Sequence, residues 1–233
     1  MKSINVYGTG DNALEFIITN KNNYIVKNVI CNDMDNMETF AGIPVVKCSE
    51  AKEIFEVRYT IIASSESKYW DIKEKLERMF NLIEYEHFEY YETYQKKIAI
   101  IYGNCHVTPV KCALKKNRWF SAQYGFYPIP EIWRISMQEE GIDRYFSRAF
   151  DKCALFIHQS IWNKNIYGLK YSSEYLIKKL KAECKIISMP NVYRAPRFLF
   201  PQMSSYDGIV LHEGRNYFPF RDDFIDSYYK SVP

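Results

Sequence analysis

The sequence predicts an α/β fold in two successive regions, each a parallel sheet covered by helices, with a boundary near residue 96. Short aliphatic runs alternate with segments whose apolar residues recur at helical spacing, which is the pattern of βαβ units. Two of the runs, ending at Tyr7 and Tyr102, lead through a glycine loop into a helix-like segment. The composition permits such cores: 47% of residues are hydrophobic and 25% charged, with only nine Gly and nine Pro in 233 residues. Those proportions exclude disordered, collagen-like and disulfide-scaffold classes.

In the first region Ile4–Tyr7, Ile25–Cys31 and Tyr59–Ser64 read as strands, because each is a short apolar run bounded by polar or glycine residues. Asn12–Asn20 and Ser49–Phe55 read as the helices between them. Lys68–Phe80 brings Trp70, Ile72, Leu76, Met79 and Phe80 towards one face of a further helix. Ile83–Tyr94 alternates Glu with aromatics and ends in the polar stretch Thr93–Lys97, which sets domains of 1–96 and 97–233.

The second region restarts the pattern with a strand at Ile98–Tyr102 and a helix from His106 to Lys116. A strand around Phe120–Tyr127, a helical stretch between Pro130 and Phe150, and a strand at Cys153–His158 follow. Ser172 is placed to cap a helix over Ser172–Glu183, and Lys185–Met189 is the last strand.

Residues 1–96 carry 11 Lys/Arg against 16 Asp/Glu, and residues 97–233 carry 20 against 12, so the net charge of +3 hides a basic second half. A basic half suits a phosphate-bearing partner, but the Lys/Arg residues are scattered without a recognition motif, and no nucleic-acid partner is expected. Six cysteines show no CxxC, and the histidines (His87, His106, His158, His212) show no ligand spacing, so reduced thiols and no metal are expected. The first twenty residues hold Asp11 and Glu15 rather than a secretory apolar segment, and no stretch approaches the roughly 18 apolar residues of a membrane span. The expectation is a soluble cytoplasmic protein. The Tyr/Phe-rich segments 83–94 and 217–229 are read as packing on the core, with a homo-oligomer contact as the alternative.

Gly8-Thr9-Gly10-Asp11-Asn12-Ala13 follows the first strand and opens a helix, the context in which backbone amides approach a phosphate. Asp33 lies 23 residues after Gly10, just past the second strand, where a carboxylate accepts from a ribose hydroxyl. Gly8, Gly10 and Asp33 are therefore candidate nucleotide-binding residues. A tight turn that binds nothing is the alternative, and Asp11 sets a negative charge close to any phosphate.

Gly103-Asn104-Cys105-His106 sits at the equivalent junction of the second region. A thiol near helix-terminal N–H groups is favoured as thiolate, which makes Cys105 a candidate nucleophile, with a small buried residue as the alternative. Gly103 permits the turn and Asn104 supplies an amide donor for an oxyanion. Strand ends of a parallel sheet converge on one crevice, which points to His158 as a partner for Cys105, or else to a hydrogen-bonded structural histidine. Arg194 and Arg197, after the last strand, are candidates to pair with phosphate.

The motifs Tyr7-Gly8-Thr9-Gly10, Cys31-Asn32-Asp33, Gly42-Ile43-Pro44-Val45 and Ile61-Ile62-Ala63-Ser64 resemble the small N-terminal domain of PglD-type sugar acyltransferases. That resemblance implies a Rossmann-like sheet and a nucleotide-sugar ligand. Gly103-Asn104-Cys105, His158-Gln159, Tyr167-Gly168, Ser172-Ser173, Met189-Pro190-Asn191-Val192-Tyr193 and Phe200-Pro201 resemble, over residues 97–202, the WcbI family of bacterial capsular-polysaccharide biosynthesis proteins, which implies an SGNH/WcbI-type fold for the second α/β domain of this chain. This resemblance implies a coenzyme A site, with Arg194 and Arg197 near its phosphates, and acetyl transfer to a surface sugar. The family motif continues with Gln where this chain has His106, and the chain ends at Pro233, earlier than the resemblance leads one to expect.

Three function classes follow. The first is an acyl(acetyl)transferase using acetyl-coenzyme A as co-substrate and a nucleotide-activated or lipid-linked sugar as acceptor. In it Cys105 takes the acyl group, Asn104 and the amides at Gly103 and Cys105 stabilise the oxyanion, and His158 deprotonates the acceptor, unless transfer is direct and Cys105 only positions. The second is a GDSL/SGNH-like esterase with Cys in place of Ser, although its late Asp-x-x-His pair is missing, since His212 follows Asp207 at the wrong spacing. The third is a non-catalytic nucleotide-sugar-binding protein of a glycan pathway.

Overall fold

Ile4 and Val6 turn to one side of the first strand and Asn5 and Tyr7 to the other, and all four are buried, so this strand is covered on both faces. The computed structural model describes residues 1–32, 37–137, 141–145, 148–161 and 167–189, and the backbone of 210–212 and 215–217. The strands of the first sheet are β1 (Lys2–Tyr7), β2 (Tyr24–Cys31), β3 (Thr39–Phe40), β4 (Ile43–Lys47), β5 (Thr60–Ile62) and β6 (Phe88–Tyr90). They lie in the order β3-β4-β2-β1-β5-β6, with β3 antiparallel to β4 and the other pairs parallel. Helix α1 (Asp11–Asn20) buries Ala13, Phe16 and Ile17 against Ile4, Val6 and Ile61. Helices α2 (Lys52–Val57) and α3 (Glu66–Phe80) belong to the opposite core, where Phe55, Tyr69 and Leu76 join Tyr7, Ile30 and Ile62. Buried Asn5 is kept satisfied by donating from Nδ2 to the Ile54 carbonyl at 3.2 Å.

The second sheet contains β7 (Lys97–Tyr102), β8 (Tyr124–Phe126), β9 (Cys153–Gln159) and β10 (Lys185–Met189), all parallel, in the order β10-β9-β7-β8. Its helices are α4 (Val107–Lys116), α5 (Arg118–Gln123), α6 (Ile132–Ser136), α7 (Arg148–Lys152) and α8 (Ser173–Ile177). The α/β reading with parallel sheets is thus borne out. The chain divides into two compact units, Met1–Met189 and Pro190–Pro233. The first holds both sheets. The second shows an antiparallel pair, β11 (Val210–His212) with β12 (Arg215–Tyr217).

Within the first unit Trp70 of α3 stands edge-on to Tyr127, at 5.6 Å, and to Tyr145, at 4.6 Å. Its Nε1–H donates to the Pro128 carbonyl at 2.7 Å. Glu84, 2% exposed, accepts from the Tyr69 and Tyr127 hydroxyls at one oxygen, and Lys73 Nζ lies 3.7 Å from the other. Phe88 and Tyr90, from the Tyr/Phe-rich segment 83–94, are fully buried in this core. The second such segment, 217–229, lies outside the described side chains.

Several element readings change. Phe120 belongs to α5, because Asn117 Oδ1 accepts the Phe120 N–H at 3.0 Å and starts a helix, which leaves only Tyr124–Phe126 as strand. Ser172 does cap α8, accepting from Tyr175 N–H, but the α-helix ends at Ile177 and continues only as short turns. The stretch between Pro130 and Phe150 is broken into short helical pieces. Met79, grouped with the apolar face of α3, is 57% exposed. Strands β4 and β6 were not anticipated.

Glu89 on β6 yields a measurable pH dependence. Burial raises its carboxyl pKa from 4.5 to about 6, against the Tyr59 hydroxyl that donates to it at 2.7 Å; Lys152 and Lys2 oppose the rise and Glu84 adds to it. A carboxyl whose folded pKa is raised contributes stability that is complete below its unfolded value and is lost as pH rises through about 6. Glu89→Gln is therefore expected to be more stable than the parent at pH 7.5 by up to about 2 kcal/mol, with the difference shrinking towards pH 4.5. Urea denaturation of both proteins across that range checks it, and a pH-independent difference contradicts it.

Candidate functional site

Ile98–Tyr102 are all buried, and the chain leaves the sheet at Gly103 in contact with the end of β9. A side chain at Gly103 would meet Val107 Cγ1 at 2.7 Å and Gln159 Oε1 at 2.5 Å, so only glycine lets the loop lie against both. Gln159, 1% exposed, accepts the Asn104 N–H at Oε1 over 2.7 Å, and its Nε2 is 3.3 Å from His106 Nδ1. The backbone N–H fixes the amide orientation. Nε2 is then the donor that faces His106 Nδ1. The Gly103 carbonyl accepts from Ile132 N–H at 3.0 Å, tying the loop to α6.

The loop therefore presents Cys105, which is exposed, at the start of α4, while Cys31, Cys48, Cys153 and Cys184 are buried. None of the six forms a disulfide. The Cys105 N–H has no acceptor among the described residues, whereas the Asn104 N–H is engaged by Gln159. Asn104 Oδ1 is buried without a partner, an unusual state for an amide oxygen and one that a ligand donor would relieve.

His158 pairs with Tyr102 in the β7–β9 register, is 5% exposed, and stacks on Phe156 at 5.4 Å. Its Nδ1 is 3.0 Å from the Gln159 carbonyl. Phe156 and Tyr102 belong to the core on one face of the sheet, whereas Leu155, Ile157 and Val107 belong to the other. Alternation thus sends His158 and Gln159 to opposite faces, and Gln159 is the side chain that reaches the loop. The structure shows no hydrogen bond between His158 and Cys105. Gln159 was not among the candidates, although the period-two alternation of β9 could have singled it out.

The first glycine loop borders a cavity of about 460 Å³. A Cβ at Gly8, whose φ is +131°, would lie 2.6 Å from the Ala63 carbonyl oxygen, so the loop and the end of β5 meet closely there. Gly8 and Gly10 line the cavity together with Asn32, Ser64, Ser65 and Lys68. Asp33 lies outside the described residues, as do Arg194 and Arg197.

Residues 98–230 match a family model described as the polysaccharide biosynthesis enzyme WcbI, which is more than half of the chain. The chain belongs to the WcbI family. The match begins on β7, takes in the whole Gly103 loop, and continues past residue 202. A family of polysaccharide biosynthesis enzymes is thus the setting for Cys105. A solved structure described as WcbI, a novel polysaccharide biosynthesis enzyme, in a native form without a disulfide bond between coenzyme A and one of its cysteines, is 24% identical. That match has a TM-score of 0.38 and covers 41% of this chain and 30% of the other. A comparison with curated proteins finds no match. Among the described residues no group of His, Cys, Asp or Glu is placed to hold a metal ion, and no helix is long and apolar enough to cross a membrane.

Proposed function

We propose that this WcbI-family enzyme transfers an acyl group, acetyl in the simplest case, from coenzyme A to a hydroxyl or amine of a sugar in polysaccharide biosynthesis. The observation that carries the reading is the exposed Cys105 on a loop locked by Gln159 beside an unpartnered Asn104 oxygen. Such a loop fits an acyl thioester: a thiol at the surface, a neighbouring N–H without an acceptor, and a buried amide oxygen in want of a donor. Coenzyme A supplies an acyl carbon activated by a thiolate leaving group.

In this mechanism the Cys105 sulfur forms a bond to the acyl carbon while the bond to the coenzyme A sulfur breaks, and the departing thiolate takes up the proton that Cys105 gave away. The Cys105 N–H and the Asn104 side-chain amide stabilise the oxyanion. The sugar hydroxyl or amine then attacks the acylated Cys105, restoring the thiol. Proton transfer is assigned to His106 at the loop itself, whose Nδ1 takes up a proton when its contact with Gln159 Nε2 is released. The 1–96 domain would hold the acceptor and the 97–233 domain the coenzyme.

Isothermal titration with acetyl-coenzyme A, with NAD as comparison ligand, tests the reading. Saturable micromolar binding of acetyl-coenzyme A alone is expected. No binding by folded protein overturns it, and release of product from an aryl ester without coenzyme A would favour the esterase instead.

A further inference from the structure

Strand β9 ends on Gln159, a fully buried amide that pairs with Met189 in the β9–β10 register. A buried amide is tolerated where its polar atoms are met. The Gln159 carbonyl accepts the Ser173 hydroxyl at 2.7 Å, and Ser173 Oγ in turn accepts the Ile161 N–H at 2.9 Å. The Ser173 N–H closes the ring by donating to the Ile161 carbonyl at 3.0 Å. Ser173 is buried and opens α8, so the end of β9 is fastened to the start of a helix as well as to its own sheet. The Gln159 backbone is therefore fixed, and its side chain reaches a fixed point.

That point is a single peptide plane. The Gly103 carbonyl and the Asn104 N–H belong to one trans peptide and point in opposite directions. The Ile132 N–H holds the first at 3.0 Å and Gln159 Oε1 holds the second at 2.7 Å, so the plane is gripped at both edges, by α6 and by β9. The next peptide follows from it. Its carbonyl, that of Asn104, accepts the Val107 N–H at 3.0 Å and is turned into the first turn of α4. Its N–H, that of Cys105, points the opposite way, where no described residue accepts it. The direction of the amide beside the Cys105 sulfur is thus set by a side chain from another strand.

We propose that Gln159, braced by Ser173, is the positioning residue of the Cys105 loop: its side-chain oxygen fixes the Gly103–Asn104 peptide and, through it, the outward direction of the Cys105 N–H. Gln159 acts through the loop and touches neither acyl group nor acceptor. The inference deepens the acyl-transfer reading and rests on it only for its kinetic consequence.

Packing and positioning rank two substitutions in opposite orders. At a buried position methionine suits a packing role and glutamate offends it, whereas glutamate keeps an oxygen for the Asn104 N–H and methionine has none. The test on the full chain is alkylation by iodoacetamide followed by peptide mass mapping, with the exposed Cys112 of α4 as internal reference. Gln159→Met should lower the ratio of Cys105 to Cys112 alkylation rates about tenfold, because helix-terminal N–H groups favour a thiolate only while the loop holds the sulfur against them, and Gln159→Glu should stay near the parent. Ser173→Ala leaves Gln159 in place but removes its brace, and should move the ratio the same way by about threefold. In acyl transfer Gln159→Met should lose about 10²-fold in kcat with KM for acetyl-coenzyme A little changed, as a displaced nucleophile requires. A parent that transfers no acyl group overturns the acyl-transfer reading and leaves the alkylation series to decide the positioning. A parental ratio in folded Gln159→Met, or a ratio higher in Gln159→Met than in Gln159→Glu, overturns the positioning role. If Gln159→Met does not fold, Ser173→Ala decides, and an unchanged ratio there overturns the proposal.

Discussion

Replacing Cys105 by alanine is expected to lower acyl transfer by on the order of 10³-fold or more, while acetyl-coenzyme A binding changes little. The expectation follows from chemistry rather than packing. Cys105 is exposed, so the substitution leaves no cavity and removes no side-chain hydrogen bond among the described residues. What it removes is the sulfur that carries the acyl group between the two half-reactions, and no other thiol can take its place. Four of the other cysteines are buried; Cys112 is exposed but lies further along α4, two turns from the glycine loop. Two measurements separate the outcomes. Intact-mass analysis after mixing with acetyl-coenzyme A should show an acetyl adduct on the parent and none on Cys105→Ala, and turnover should fall in parallel. Near-parental turnover in Cys105→Ala would exclude the thioester route and leave Cys105 as a positioning residue for direct transfer.

What the sequence made legible is what depends on neighbours along the chain. The aliphatic run Ile98–Tyr102 followed by Gly103 marked the strand and the turn, the structure decided that Cys105 is exposed rather than buried, and the match at 98–230 confirmed the family. The glycines at 8 and 10 likewise marked one wall of the N-terminal cavity. The opposite wall was hidden, because Ser64, Ser65 and Lys68 are brought beside Gly8 only by the strand order β2-β1-β5, which no local pattern encodes. Gln159 was passed over for a related reason. Histidine draws attention by its chemistry, but the face on which each residue of β9 lies is fixed by register with β7. In the misread Phe120–Tyr127 segment, the Asn117 cap outweighed the aromatic residues that suggested a strand.

The largest stability effect is expected at Gly125 rather than in either glycine loop. Gly125 lies on β8 opposite Ile98, and the backbone of Glu92 and Thr93 crosses directly over it, so that a Cβ there would overlap the Glu92 carbonyl. A flexible side chain could swing aside, but this backbone is held from several directions. Thr93 is buried and bonds back to the Tyr90 carbonyl through both its N–H and its hydroxyl, at 3.1 and 2.9 Å. Glu92 is tethered to Lys115 of α4 at 2.6 Å, and the Tyr94 ring lies among Tyr24, Tyr59 and Phe16. Gly125→Ala must therefore displace either β8 or residues 92–94, and overpacking against backbone is expected to cost about 3 kcal/mol or more. For a chain of this size that lowers Tm by roughly 6–12 °C. Thermal and urea denaturation of the variant check it. A loss under about 1 kcal/mol would show that residues 92–94 yield readily, and that the crossing over β8 is a loose contact rather than a fixed part of the core.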